Sequence, residues 1–170
     1  QHGIKAYDSE ILDNSVVWNS GNSGGYAIYS YRSNIESNYI NSSGYGHGHY
    51  LIWSHGSSTV QSQVLNNEVY AQEHNWAVYA HYTDIENNTF NGYVNTPDGL
   101  QEYYSINAEG YCNIRNNSIV GFRDGVLADN DWDIEIVGNH FEVRRHVLWA
   151  SNGRGDYAFD DNTIERFGND

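Results

Sequence analysis

Basic residues are scarce in this sequence. Its 170 residues include 8 Lys and Arg against 22 Asp and Glu, a net charge of −14, and Lys5 is the single lysine. Nucleic acids and anionic membrane surfaces are bound through basic patches. The composition therefore predicts that neither is a partner of this protein.

Cysteine and long apolar runs are scarce as well. Cys112 is the one cysteine, so an internal disulfide and a cysteine-based zinc site are both excluded. We expect Cys112 to be a small buried residue in place of Ser or Thr. No apolar run approaches the roughly 18 residues of a membrane span, which predicts no membrane insertion.

Length and composition predict one folded domain over residues 1–170. Hydrophobic residues at 39% and aromatic residues at 15% are too abundant for a disordered chain, and a chain of this length buries a sizeable core. The sequence starts without Met or a signal peptide, already within a repeat. We expect a processed chain or a fragment of a longer protein.

A short phrase recurs along the chain: an apolar residue, two variable residues, Asn, one variable residue and a second apolar residue. Its copies read ILDNSV, IESNYI, VLNNEV, IENNTF, IRNNSI, IVGNHF and FDDNTI. Their Asn residues are Asn14, Asn38, Asn67, Asn88, Asn117, Asn139 and Asn162. A period between 20 and 50 residues is typical of solenoid proteins.

A second phrase precedes most copies of the first and reads GIKAY, AIYSY, LIWSH, AVYAH, SINAE, VLADN and VLWAS. Its second residue is always aliphatic: Ile4, Ile28, Ile52, Val78, Ile106, Leu127 and Leu148. Its fourth residue is small in every copy except at Asp129. This alternation predicts a strand whose second and fourth residues face inward and whose third and fifth face outward.

Each repeat thus offers short strands and turns rich in Gly, Asn and Ser, and stacked repeats form parallel sheets around one core. The two phrases resemble those of right-handed parallel β-helix proteins, the pectate-lyase-like superfamily with its NosD-type (PbH1) repeats, over residues 2–167. The resemblance implies an all-β fold, a right-handed parallel β-helix (β-solenoid) of about seven coils. It also implies an Asn ladder at the corner between the second and third strands, where Asn tolerates left-handed conformations.

The outward face of the first strand is where active sites of that family usually lie. Its third residues are Lys5, Tyr29, Trp53, Tyr79, Asn107, Ala128 and Trp149, and its fifth are Tyr7, Tyr31, His55, His81, Glu109, Asn130 and Ser151. A row of exposed rings beside hydrogen-bonding groups suits a sugar polymer. We expect carbohydrate to bind along Tyr29, Tyr31, Trp53, His55, Tyr79, His81 and Glu109. The alternative is that the rings stack on one another and stiffen the sheet.

Three of these residues are also candidates for catalysis. His55, His81 and Glu109 occupy one column on successive repeats, where a histidine acts as a base or the three share a metal ion; the alternative is a set of exposed polar residues. A glycosidase needs two carboxylates across a groove, and the phrase alignment offers only Glu109. The enzyme hypothesis is weakened by this count.

Calcium is a second metal that the sequence raises. Asp129, Asp131 and Asp133 are spaced like the start of a calcium loop, but Ile134 and His140 stand where an EF-hand requires Gly and Glu. A solvated acidic corner is the alternative interpretation. The longest insertions, residues 41–49 and 91–102, are expected to flank the first strand and wall a groove.

Three hypotheses for function follow. The first is an extracellular, cell-surface or virion-surface module that binds polysaccharide, as tailspike-like proteins do. The second is a structural subunit of a surface sheath, layer or fibre that self-associates as a trimer or by end-to-end stacking of uncapped coils. The third is a polysaccharide lyase, hydrolase or epimerase. The fold alone hosts all three.

Overall fold

The computed structural model describes residues 2–19, 25–42, 49–71, 75–92, 104–129, 133–151 and 155–166. Every regular element in these ranges is a β-strand, and none contains a helix suited to crossing a membrane. The strands are β1 (His2–Tyr7), β2 (Glu10–Leu12), β3 (Ser15–Trp18), β4 (Tyr26–Tyr31), β5 (Asn34–Glu36), β6 (Tyr39–Ser42), β7 (His49–His55), β8 (Ser62–Leu65), β9 (Glu68–Ala71), β10 (Asn75–Glu86), β11 (Thr89–Gly92), β12 (Tyr104–Arg115), β13 (Ser118–Phe122), β14 (Asp124–Asp129), β15 (Ile134–Val137), β16 (His140–Val143), β17 (Leu148–Ser151), β18 (Tyr157–Asp160) and β19 (Thr163–Arg166).

Each strand pairs in parallel with its equivalents in the neighbouring coils. The first sheet runs in the order β1-β4-β7-β10-β12-β14-β17, and the third-strand sheet in the order β3-β6-β9-β11-β13-β16-β19. The second strands form a series between them, in which β10 and β12 take part because these long strands continue around the corner. The prediction of an all-β parallel β-solenoid is confirmed. The solenoid has about 6 turns rather than seven, because its seven rungs are joined by six steps from one rung to the next.

The core consists of three columns of aliphatic and aromatic side chains, one from each strand series. The central coils bury these side chains completely: Ile28, Ile52, Val78, Ile106 and Val126; Ile35, Val64, Ile85, Ile114 and Ile136; Ile40, Val69, Phe90, Ile119 and Phe141. Each such burial contributes about 1.5–3 kcal/mol. The columns that the two phrases predict are therefore the main stabilising feature of the fold.

The Asn ladder forms at the corner between the second and third strands, as predicted. The Oδ1 atom of Asn67 accepts hydrogen bonds from the backbone N of Asn38 (2.9 Å) and from its Nδ2 (3.0 Å), and the same pair of bonds repeats from coil to coil. The left-handed residue is the one before each ladder Asn, with φ between 54° and 68°: Asp13, Ser37, Asn66, Asn87, Asn116, Gly138 and Asp161. The ladder side chains are thus the hydrogen-bonding partners at this corner, and their neighbours make the turn.

A second, shorter ladder of hydroxyl groups follows the first strand. The backbone N of Ser9 donates to Oγ of Ser33, and the backbone N of Ser33 donates to Oγ of Ser62, each at 3.3 Å. Thr83 continues this column and pairs in register with Cys112, which is 1% exposed. The interpretation of Cys112 as a small buried residue in a Ser/Thr position is confirmed.

The predicted alignment of the sixth repeat is wrong by one residue. Val126, not Leu127, pairs with Ile106 and Leu148, and Ala128 pairs with Ala108. A shift of one residue moves every side chain of a strand to the other face. Asp129 therefore takes the outward fifth position that the phrase VLADN assigns to Asn130, and Leu127 replaces Ala128 at the third.

Candidate functional site

The outer face of the first sheet carries three columns of side chains. The central column contains Lys5, Tyr29, Trp53, Tyr79, Asn107, Leu127 and Trp149, and the polar column contains Tyr7, Tyr31, His55, His81, Glu109, Asp129 and Ser151. A third column, the edge column, lies two residues before the first inward aliphatic residue of each strand and comprises His2, Tyr26, Tyr50, Trp76, Tyr104, Asp124 and His146. The sequence interpretation missed this edge column, although its spacing from the aliphatic residue is constant.

The rings of the central column stack face to face. Tyr29 and Trp53 have ring centroids 4.4 Å apart at an interplanar angle of 2°, and Trp53 and Tyr79 have centroids 5.4 Å apart at 5°. Lys5 Nζ lies 5.2 Å from the Tyr29 centroid, and Tyr50 packs edge-on against Tyr79. Because Tyr29 and Tyr79 cover the two faces of Trp53, only the ring edges of this column are available for contact with a ligand.

His55 and His81 are hydrogen bonded to each other in the polar column. His55 Nε2 lies 3.2 Å from His81 Nδ1, and Tyr31 stacks on the other face of His55 with centroids 5.4 Å apart. The Nδ1 atom of His55 is buried and has no hydrogen-bond partner among the described residues. We assign the Nε2–H tautomer to His55, because the opposite choice leaves a buried N–H without an acceptor.

This tautomer has a consequence for the catalytic candidates. Nδ1 of His81 then accepts the hydrogen bond and its Nε2 carries the proton, so the neutral His81 offers a donor rather than a base. Burial lowers the pKa of His81, against the opposing effect of Glu109 in register on β12. Burial, with the neighbouring His81, also lowers the pKa of His55. Both rings are held as neutral groups.

Glu109 and Asp129 are register partners on β12 and β14. Neighbouring strands lie about 4.8 Å apart, so the corrected register supplies the second outward carboxylate that the sequence alignment did not find. Tyr79 OH donates to Glu109 Oε2 at 2.6 Å, and Ser151 Oγ donates to Asp129 Oδ1 at 2.6 Å. Burial, followed by the bond to Glu109, raises the pKa of Tyr79, which keeps it a donor.

The metal hypotheses drawn from the sequence gain no geometric support. Among the described residues, His55, His81 and Glu109 are not a group whose ligand atoms (imidazole nitrogens and a carboxylate oxygen) all lie within 4.8 Å of one another. Asp131 lies outside the described residues, while Asp129 binds Ser151 and Asp133 accepts from the backbone N of Asp156 at 3.0 Å. The calcium hypothesis therefore stays a prediction.

A buried carboxylate at the end of the edge column was also missed. Asp124 is fully buried; its Oδ1 lies 2.7 Å from His146 Nδ1, and its Oδ2 accepts from Arg123 Nε at 2.8 Å. Trp149 packs against the edge of the His146 ring, with centroids 4.9 Å apart. Asp124 thereby ties β14 to the segment before β17 and orients the imidazole of His146.

Comparison of the chain with protein-family models, curated proteins and solved structures gave no match. The class of the protein is therefore defined by its fold, a parallel β-solenoid with an Asn ladder at one corner. Of the two insertions expected to wall a groove, residues 43–48 and 93–102 lie outside the described residues.

Proposed function

We propose that this protein is a β-solenoid module that binds a neutral or weakly charged polysaccharide along the outer face of its first sheet. The observation that carries the proposal is the polar column. It presents hydrogen-bonding side chains on consecutive strands, in register: Tyr31, His55, His81, Glu109, Asp129 and Ser151.

A regular row of this kind fits an extended polymer lying along the solenoid axis. Hydrogen-bonding groups repeat about every 4.8 Å, so each successive sugar unit meets a hydrogen-bonding side chain. The half-buried edges of Tyr29, Trp53 and Tyr79 line the row and supply apolar contact for the C–H groups of the sugars. Because the rings are already stacked, binding requires little ordering of side chains, which favours affinity.

Charge selects among polysaccharides. The chain carries a net charge of −14, and the polar column includes the carboxylates Glu109 and Asp129. A polyuronate or sulfated polymer is repelled by such a surface, whereas hydroxyl groups of a neutral glycan donate to carboxylates. A neutral polymer is the ligand class that these residues favour.

The proposed ligand and the Asn ladder also support inferences about where the protein acts and which superfamily it belongs to. Polysaccharides are found at cell and virion surfaces and in extracellular material, so we infer an extracellular or surface location. We also infer membership of the right-handed, pectate-lyase-like superfamily with NosD-type repeats. The support for this membership is the Asn ladder together with the two phrases that build it.

Affinity electrophoresis tests the binding proposal. Native gels containing a neutral β-glucan, a neutral mannan or an acidic polyuronate are run with the wild-type protein, Glu109→Gln/Asp129→Asn and the matched control Glu68→Gln on β9. We expect one neutral polymer to retard the wild type and Glu68→Gln equally, and the double variant at least about fivefold less, since two charge-assisted hydrogen bonds are weakened. Equal retardation of all three proteins, or of none, contradicts the proposal.

A second candidate function, glycoside hydrolysis, is favoured by the Glu109–Asp129 pair. Retaining glycosidases hold two carboxyl groups about 5–5.5 Å apart, close to the spacing of neighbouring strands. Release of reducing ends from the retarding polymer tests this candidate, and we expect Glu109→Gln or Asp129→Asn to reduce the rate at least about a hundredfold. Binding without any release of reducing ends rejects hydrolysis and leaves the binding proposal in place.

The sheath or fibre hypothesis stays a prediction, with the chain as its own partner. The sheath or fibre hypothesis requires a trimer or a filament. Sedimentation across a concentration series, without any polysaccharide, measures the size of the species that the protein forms. A monomer at all concentrations contradicts the hypothesis.

A further inference from the structure

We propose that His140, Glu142 and Glu165 form a binding site for a divalent transition-metal ion of the Zn²⁺ class. These residues lie on β16 and β19 in the third-strand sheet, on a different sheet from the outer face described above. Each offers one ligand atom, and these atoms all lie within 4.8 Å of one another. It is the one group of three or more such side chains within the ranges that the structure describes.

The strand geometry explains why the three side chains converge. His140 and Glu142 are two residues apart on β16, so both point to the same side of the sheet, away from the buried Phe141 between them. Glu142 and Glu165 are register partners on β16 and β19. The site is therefore built on two paired strands, whose backbone fixes the positions of all three Cα atoms.

The donor set selects the class of ion. One imidazole nitrogen and two carboxylate oxygens match the N and O ligands of Zn²⁺ at about 2.0–2.2 Å, with a water in the fourth position. In a tetrahedron with bonds of this length, the ligand atoms lie roughly 3.4 Å apart. The three ligand atoms here lie within 4.8 Å of one another, so a small rotation of the side chains brings them to that distance. Ca²⁺ takes 6–8 oxygen ligands and Mg²⁺ avoids imidazole, so neither suits this set.

Repulsion between the two carboxylates of the site favours binding of a cation. Two carboxylates directly opposite each other on paired strands destabilise a sheet. Val120 is the other register partner of Glu142, and Ser118 and Thr163 are the register partners of His140, so these cross-strand positions carry no positive charge; Arg144 follows the end of β16. A bound cation relieves the repulsion between Glu142 and Glu165.

Isothermal titration of the metal-free protein with ZnCl₂ tests the proposal, with His140→Ala, Glu142→Gln and Glu165→Gln as site variants. Glu68→Gln and His81→Gln are matched controls for a carboxylate on the same sheet and for a histidine elsewhere. We expect the tightest Zn²⁺ site of the wild type to weaken at least about tenfold in each site variant and to be unchanged in both controls. CaCl₂ is expected to give no comparable binding at this site.

The variants are chosen so that loss of binding is distinguishable from loss of folding. Glu165 is exposed, and its change to Gln removes a like charge from the Glu142 pair, so the metal-free variant is expected to unfold no more readily than the wild type. X-ray absorption of the Zn²⁺ form is expected to show a shell of N and O ligands with one imidazole. Equal Zn²⁺ affinity in the wild type and the site variants, or loss of the tight site in His81→Gln, overturns the proposal.

Discussion

His55 and His81 lie side by side on β7 and β10, with His55 Nε2 3.2 Å from His81 Nδ1 and their ring centroids 4.2 Å apart. Tyr31 stacks on His55, so Tyr31, His55 and His81 form a continuous row of rings in the polar column, beside the stacked rings of the central column. Protonation of both rings places like charges in contact and removes the acceptor of their hydrogen bond.

The first prediction is a loss of stability in mild acid. The pKa values of His55 and His81 are both lowered in the folded protein from 6.5, so the unfolded chain takes up protons that the folded chain does not. The stabilising effect is present above about pH 6.5 and is lost as the pH falls through the folded pKa values. Urea unfolding between about pH 5 and 7.5 measures it.

The variants for this test are His55→Gln/His81→Gln and, as a control, His140→Gln. We expect the double variant to lose most of the dependence of unfolding free energy on pH in this window, and the control to keep it. The same slope in the wild type and the double variant contradicts the prediction.

The second prediction concerns the Asn ladder, where Asn88→Ala removes a fully engaged buried side chain. Its Nδ2 donates to Val64 O at 2.8 Å and to Glu86 O at 3.0 Å, and its Oδ1 accepts from the backbone N of Asn67 at 2.8 Å. Each buried group left unsatisfied costs about 1–3 kcal/mol. We therefore expect the free energy of unfolding, measured by chemical denaturation, to fall by about 3 kcal/mol or more. Asn14→Ala, at a half-buried rung, is expected to cost about 1 kcal/mol; equal costs contradict the account.

The third prediction concerns Trp53, the centre of the central column. Trp53→Ala removes two parallel ring contacts, with Tyr29 and Tyr79, each worth about 0.5–1.5 kcal/mol beyond burial. We expect a loss of about 1–3 kcal/mol in unfolding free energy and a weaker near-ultraviolet circular dichroism signal. Trp149→Ala is the control and should lose less, because the Trp149 ring makes an edge-to-face contact with His146 and no parallel stacking contact with it.

The fourth prediction is that Cys112 is inert in the folded protein. Burial raises the pKa of its thiol to about 12, so thiolate is almost absent near neutral pH. A disulfide reagent is expected to label no thiol per chain under native conditions at pH 8 and one after unfolding in urea. Rapid native labelling contradicts the buried position.

The fifth prediction concerns the close approach of β11 and β13 at Gly92 and Gly121. Gly121 has φ of 76°, and a Cβ there lies 2.5 Å from the backbone O of Gly92. Gly121→Ala is expected to cost about 2 kcal/mol or more, because strain and contact with backbone add. Gly138→Asn is the control: Asn occupies the equivalent turn position in other coils, and the close contact of a Cβ there, at 2.5 Å, is with Oδ1 at the end of the Asn116 side chain. It is expected to be nearly neutral.

The repeated parts of the fold were predictable from the sequence. Period-two alternation identifies the inward positions, such as Ile52 and Val78, because a misplaced polar residue in the core is costly. The ladder Asn is equally regular, since one corner geometry recurs in every coil. The turn residue before it was missed because Asp, Ser, Asn and Gly all fill that position.

The site was less predictable, because it depends on register and on contacts between coils. The sixth repeat reads equally well as VLADN or GVLAD, and only the pairing of Val126 with Ile106 decides that Asp129 lies beside Glu109. The aromatic residues were assigned to the correct column, but the parallel stacking of Trp53 on Tyr29 follows from packing between coils. His140, Glu142 and Glu165 converge across two coils, a relationship that no single phrase contains.

The spacing of the ladder residues varies from 21 to 29 positions, while the hydrogen bonds that join them keep the same lengths. Extra residues between two ladder positions therefore do not disturb the hydrogen bonds of the rungs on either side. In evolutionary terms the coil is a module: duplication or excision of the segment between two ladder Asn residues preserves both junctions. A family of such proteins is free to differ in length by whole coils while each member keeps the same cross-section.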